Sequence, residues 1–541
     1  MSADAIFVNG RVWPGLPVAA GPEPTAPAGD GPTAIAVSRG RVLAIGSDAE
    51  VRDLARPGCP VTDLGGRRVV PGLIDGHLHA VRAGATWDEE LHWTGVPDVA
   101  AALASIRAEV ARRPAGEWVR AIGGWHPHQF TEGRPPSRAE LDAVAPEHPV
   151  YVQALYEYAV LNTAALRASG LDRLAEDPPG GHLERDGDGV PTGRISGLPA
   201  FNRCLAALPA RGPEQERAST AAMQRELHAA GLTGVVDPGG FGMPPDRYDA
   251  LFELWRRGEL TLRMRLFLSA VDPGREYEQL EGWLRHGQTQ FGDDRLRTLG
   301  VGELIHYGCH DFEGLAPFEI SEAAGAEFLR ISREAARHRW PMHVHAVLDS
   351  SIDRILDAWE QVHAELPLTE LRFSLAHADR IGPRNIARLR ALGAGVVVDD
   401  RLVFKAAASA EVWGDEAIRR APPLADLLAA GIPVAAGTDA TRASSYSPWL
   451  SLYWLVAGRS LDGVARREPR HLLSRERALH LYTRGSAWLS FEEADRGQLW
   501  PGALADFAVL DADYLTVPAA QIPAITSELT VVAGTPVHTA L

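Results

Sequence analysis

Lysine is almost missing from this sequence: Lys405 is the only one in 541 residues, and arginine supplies every other basic side chain. Chemistry that needs a lysine amine elsewhere along the chain is therefore excluded. Cysteine is nearly as scarce, with Cys59, Cys204 and Cys309 widely spaced and no Cys-x-x-Cys pair. That scattered, odd-numbered set argues against a disulfide framework and against a thiolate zinc knuckle, and predicts reduced thiols packed in a core. No run of about 18 uncharged apolar residues occurs, and residues 1–11 lack a basic segment followed by an apolar one. The expectation is a cytoplasmic protein with no membrane partner. Net positive charge is lacking too. A formal balance of -16 without a Lys/Arg-rich stripe repels a phosphate backbone, so nucleic acid is not an expected partner. Nor is there a Gly-x-Ser-x-Gly elbow to carry serine-hydrolase chemistry.

What is present has the balance of a compact globular chain, 45% hydrophobic and 23% charged, and its length exceeds a single α/β barrel of about 250 residues. Apolar runs at 5–12 and 34–45 flank a Pro/Gly/Ala-rich stretch, 14–33, and read as strands joined by a loose surface loop. Runs at 505–510 and 529–537 have the same strand character, so residues 1–68 and 491–541 are expected to build one small composite β-sandwich domain. Between them, strand-like runs near 68–75, 233–237, 263–269, 299–305, 341–345, 372–377, 395–399 and 433–438 alternate with helical periodicity. Eight such units predict an α/β fold, a (β/α)₈ TIM-like barrel over residues 69–490. Residues 88–213 are too long for a loop and contain strand-like runs at 118–122 and 150–154, which predicts an inserted α+β subdomain over one side of the active site.

The first of the eight runs ends in Asp75-Gly76-His77-Leu78-His79. Residues two apart on an extended chain share a face, so both imidazoles can address one ion, although a pair of surface histidines has the same spelling. His345 and His377 each close a later run, and Asp439 closes the last. Catalytic groups of such barrels sit at the carboxyl ends of the strands, so His77, His79, His345, His377 and Asp439 are candidate metal ligands. Imidazole with carboxylate suits zinc, iron or manganese, whereas magnesium favours an all-oxygen site. His343 lies one step deeper on the face of His345 and is expected to support the ligands or to pack.

These segments, together with Ala478-Leu479-His480-Leu481-Tyr482-Thr483 and Gly497 to Asp506, resemble the amidohydrolase superfamily over nearly the whole chain. The resemblance is to its amidohydrolase-3 branch, which includes N-substituted formamide deformylase-like enzymes. It implies a barrel with one or two divalent metals, a metal-activated water as nucleophile, and Asp439 as proton shuttle. Binuclear members often bridge their metals with a carbamylated lysine at the end of strand four. Glu303 stands at that position here, so no carbamylated lysine is expected and Glu303 becomes the candidate bridging carboxylate.

Other departures bear on the substrate, expected to be a small molecule. Glu157 stands where a histidine that contacts substrate is common in the branch; Asp349 follows His345 in an altered segment, and Asp399 and Asp400 replace a Gln-Pro-like pair. These acids point either to an amine-bearing substrate or to pairing with arginines. Trp125, His126 and Glu157 are candidate pocket residues, with a packed tryptophan as the plainer reading of Trp125. The function implied is hydrolysis of an amide or N-formyl or N-acyl amine C–N bond. A mononuclear deaminase of heterocyclic amines is the alternative, weakened by the absence of a glutamate just after His345, and a catalytically silent barrel is a third. Homo-oligomer formation is compatible with all three.

Overall fold

The computed structural model describes residues 2–16 and 31–541, so most of the predicted 14–33 loop lies outside the described residues. Eight parallel strands form one continuous ladder: Leu73–Asp75 (β1), Leu232–Asp237 (β2), Arg263–Leu268 (β3), Leu296–Glu303 (β4), Met342–Ala346 (β5), Ser374–His377 (β6), Gly395–Val398 (β7) and Val434–Ala436 (β8). Each lies on one of the eight predicted runs. Their residues are almost all buried, as expected for strands covered on both faces.

The ends of the ladder meet. Gly76 N–H donates to Ala436 O at 2.9 Å and Asp439 N–H to His77 O at 2.8 Å, which brings β1 and β8 together as an almost closed barrel. The Asp75 carboxylate clasps the same seam, accepting from Thr438 Oγ1 at 2.7 Å and from the amides of His77 and Thr438 at 3.0 and 3.1 Å.

The outer helices follow their apolar stripes. Helix Glu322–Arg337 is capped by Ser321, whose hydroxyl accepts from Ala324 N at 3.2 Å. It buries Ala324, Phe328, Ile331 and Ala335, the spacing of one helical face. Helix Asp349–Glu365 packs beside it and buries Ile352, Ile355, Leu356, Trp359 and Val362.

One predicted strand proves to be two. Arg68–Pro71 pairs antiparallel with Phe507–Leu510 in a terminal sheet, and the chain enters the barrel only after Gly72. A Cβ at Gly72 would lie 2.3 Å from the Thr233 side chain, so the crossing point has room for glycine alone. The terminal pieces form two sheets, one of four strands and one of five, around Phe7, Ile35, Val37, Val69, Phe507 and Val531. The long insertion folds as a five-stranded sheet, order His182–Arg185, Pro191–Ser196, Tyr158–Leu161, Val150–Ala154, Val119–Ile122, with helices on both faces. All three cysteines are free; Cys204 and Cys309 are buried, but Cys59 is only partly so. Among the described residues no helix is long and apolar enough to cross a membrane.

Candidate metal centre

Parallel pairing sets the height of each candidate ligand above the barrel. The ladder places Glu303 opposite Val344 and His377 opposite Ala346, so these two ligands flank the level of His345, one residue below it and one above. His77 and His79 follow β1, and Asp439 follows β8 across the clasped seam. All six side chains are buried.

The structure brings all six together. Glu303 Oε1 lies 3.3 Å from His79 Nε2, while Oε2 lies 3.4 Å from His77 Nε2, 3.4 Å from His345 Nδ1 and 3.6 Å from His377 Nε2. Asp439 Oδ1 lies 3.6 Å from His77 Nε2 and 3.2 Å from His79 Nε2. His345 Nδ1 and His377 Nε2 are 2.9 Å apart. Ligands held about 2.0–2.1 Å from one tetrahedral zinc ion are about 3.3–3.4 Å from each other, and all of these pairs but His345–His377 lie between 3.2 and 3.6 Å. Two of the atoms, His77 Nε2 and Glu303 Oε2, are buried with no hydrogen-bond partner, a costly arrangement unless a cation takes their lone pairs. The donor set therefore fits divalent metal. Overlapping triads share it: His77, His79 and Glu303; His77, His377 and Asp439; and Glu303, His345 and His377.

The far nitrogen of each imidazole is held from behind, which fixes the ring and its tautomer. His79 Nδ1–H donates to Gly239 O at 2.7 Å, His345 Nε2–H to Phe312 O at 2.7 Å, and His377 Nδ1–H to Asp399 Oδ2 at 2.5 Å. His77 Nδ1 meets His343 Nε2 at 3.0 Å, and His343 Nδ1 meets Ser374 Oγ at 2.8 Å. His343 thus supports His77, as its depth in the strand suggests. Burial disfavours charge on Glu303, but the imidazoles of His77, His345 and His377 outweigh it and hold the carboxyl well below the usual range. Asp439 is likewise buried, and His77 and His79 hold it well below the ordinary aspartate value.

The expected pocket residues fare differently. Trp125 is fully buried in the core of the insertion, stacked on Phe130 at 5.3 Å and edge-on to Trp93 at 4.9 Å, so the structure corrects its placement in the pocket. His126 Nε2 and Glu157 Oε2 face each other at 3.4 Å, and neither lines the cavity over the cage; Tyr156, next to Glu157, does. Sequence reasoning missed His310, whose ring stacks on His345 with centroids 3.7 Å apart, and Asp311, which sits 3.2 Å from His345 Nε2. It also missed Arg82 and Arg442, which line the cavity of about 560 Å³.

Fold and cage together define a metal-dependent hydrolase of the barrel type. The chain belongs to the amidohydrolase family, whose profile matches residues 60–538. It is 29% identical over 507 residues to an N-substituted formamide deformylase of Arthrobacter pascens, covering 89% of this chain and 90% of that protein. A putative amidohydrolase of Bacillus subtilis, YtcJ, is 26% identical over 530 residues, covering 94% and 96%. Among solved structures, an uncharacterized metal-dependent hydrolase from Pyrococcus furiosus superposes with a TM-score of 0.66 at 22% identity, over 95% of this chain and all 100% of the other. Atrazine chlorohydrolase TrzN from Arthrobacter aurescens, complexed with zinc, gives 0.54 at 17% identity, over 99% and 95%.

Proposed function

We propose that this protein hydrolyses a non-peptide C–N bond, that of an N-formyl or N-acyl amine, at a centre of two divalent metal ions bridged by Glu303. The observation that carries the reading is Glu303 itself: one buried carboxylate faces four imidazoles within 3.6 Å, two through each half of the cage. His77, His79 and Asp439 complete one half, and His345 and His377 the other. The formamide deformylase relative supports the bond class, and the imidazole-carboxylate donor set, with the zinc of the atrazine chlorohydrolase, supports zinc. Metal bound there lowers the pKa of water toward about 7 and polarises the substrate carbonyl.

The residues of the chain supply the rest. Asp439, kept ionised by His77 and His79, accepts a proton from the attacking water as the water oxygen bonds to the carbonyl carbon. It passes that proton to the leaving nitrogen as the C–N bond breaks, giving an acid and an amine. Gly239, Phe312, Asp399 and His343 keep the imidazoles oriented, so no ligand has to reorganise during the step.

A screen of N-formyl and N-acyl amines with parallel metal analysis tests this. Asp439→Asn is expected to retain most bound metal and lose turnover by roughly 10²- to 10⁴-fold. Turnover at the parental rate in that variant, or in His77→Ala/His79→Ala, rules out the assignment. Ammonia release from aminated heterocycles without amide cleavage replaces it with deamination.

A further inference from the structure

The cavity above the cage holds two arginines that have no direct partner among the described residues. Arg82 and Arg442 line it together with His79, Glu303 and Asp439, and among the described residues neither makes a hydrogen bond or ion pair. The other cations around the cavity are spent. Arg401 bonds Asp399 at 3.1 Å and Asp379 at 2.5 Å, and Lys405 bonds Glu313 at 2.9 Å. An arginine fork in a partly buried position is suited to bidentate capture of a planar anion.

Their placement is fixed by the cage. Arg82 stands three residues after His79 in helix Ala80–Gly84, and Arg442 three residues after Asp439. The two segments are tied where His79 N–H donates to Ala440 O at 3.2 Å. From outside, Gly123 of the insertion presses on the second segment so closely that a Cβ there would lie 2.1 Å from Thr441 O. Both guanidinium groups are therefore carried by the adjoining β1 and β8 ends of the barrel rim. Three carboxylates act on Arg82 through space, Asp439, Glu303 and Asp237; the metal ions of the proposed function neutralise the first two, and Asp237 already accepts from the amides of Val81 and Gly239.

The acids noted in the sequence offer no rival. Glu157 faces His126, Asp399 holds His377, Asp400 accepts from Ser444 Oγ at 2.7 Å, and Asp349 accepts from Gly382 N–H at 2.6 Å; none lines the cavity. An amine-bearing substrate finds no free carboxylate there, since Glu313 is held by Lys405. The cavity also has an aromatic lining: Phe241 and Phe312 stack 5.6 Å apart at 7°, with Tyr307 edge-on to Phe241.

We propose that Arg82 and Arg442 form a carboxylate-binding subsite, so that the amide cleaved here carries a free carboxylate and an apolar group. The proposal rests on the hydrolase reading above only for the word cleaved; the subsite itself is tested by binding. Calorimetric titration of zinc-reconstituted protein with N-acetyl-DL-phenylalanine and with its primary amide compares an anion with a neutral molecule of nearly equal size. The acid is expected to bind at least tenfold more tightly, with that ratio falling toward one in Arg82→Met/Arg442→Met. Single lysine variants keep the charge but lose the fork, and each should show a reduced ratio even where the double variant does not fold. Equal binding of acid and amide by the parent overturns the subsite, as does a parental ratio in the double variant or in both lysine variants, since the zinc alone then holds the carboxylate. A preserved preference without amide turnover leaves the subsite standing and removes the hydrolase reading; amide turnover without the preference does the reverse.

Discussion

Glu303 shows how one side chain can decide the character of a site. A buried carboxylate is destabilising unless positive charge is supplied; the four imidazoles that face Glu303 supply it when protonated, and a divalent cation would supply it in their place. Glu303→Ala removes the carboxylate that faces both halves of the cage, so the variant should hold no more than one equivalent of metal where two are proposed for the parent. Elemental analysis of dialysed protein reads this directly, and two equivalents in the variant exclude the bridge. The candidate ligands were legible in the sequence because each sits at a strand end or within four residues of one, and the two-residue period of an extended chain sets which of them share a face. Trp125 stayed between two readings because Gly123-Gly124-Trp125 has the same spelling whether the indole faces a cavity or a core. Arg82 and Arg442 had no signal at all, for in a chain whose basic residues are nearly all arginine a functional one does not stand out.

The strands place the ligands, but the loops behind them aim the rings. Gly239 has a φ of 77°, and a Cβ there would lie 2.3 Å from Ser269 Oγ and 2.7 Å from Gly302 O. Its carbonyl is the partner of His79 Nδ1, so Gly239→Ala should shift that carbonyl and loosen one ligand without touching the cage. A drop of about 10- to 100-fold in metal affinity is expected, measured by competition with a chromophoric chelator. Unchanged affinity excludes the loop as a support for His79. Eight strands could be read from alternating apolar runs, since buried parallel strands are short, apolar and separated by amphipathic helices. The break at Gly72 could not, because it follows from contact with Thr233, distant in the chain, and periodicity carries no information about such approaches.

Across the whole molecule, a buried network of arginines and acids ties the barrel to the terminal sheets. Arg265 of β3 makes a two-pronged pair with Glu492, both contacts at 2.8 Å, and Arg496 reaches the same carboxylate at 2.9 Å. Arg263 makes a similar fork on Asp506, whose own chain leads into Phe507–Leu510 of the terminal sheet. Glu492→Ala strands two buried guanidinium groups, and a loss of about 3–5 kcal/mol is expected, seen as a lower midpoint in chemical denaturation. A change below about 1 kcal/mol would mean that water reaches these groups.

The glutamate at the end of β4 also changes what the protein needs from its surroundings. A carbamylated lysine must capture carbon dioxide before metal can bind, whereas Glu303 has its carboxylate as soon as it leaves the ribosome, and the lone lysine is already engaged with Glu313. Metal-stripped protein should thus regain its metal and activity at the same rate in degassed, bicarbonate-free buffer as in bicarbonate, and remain indifferent to how much of that gas the cell contains.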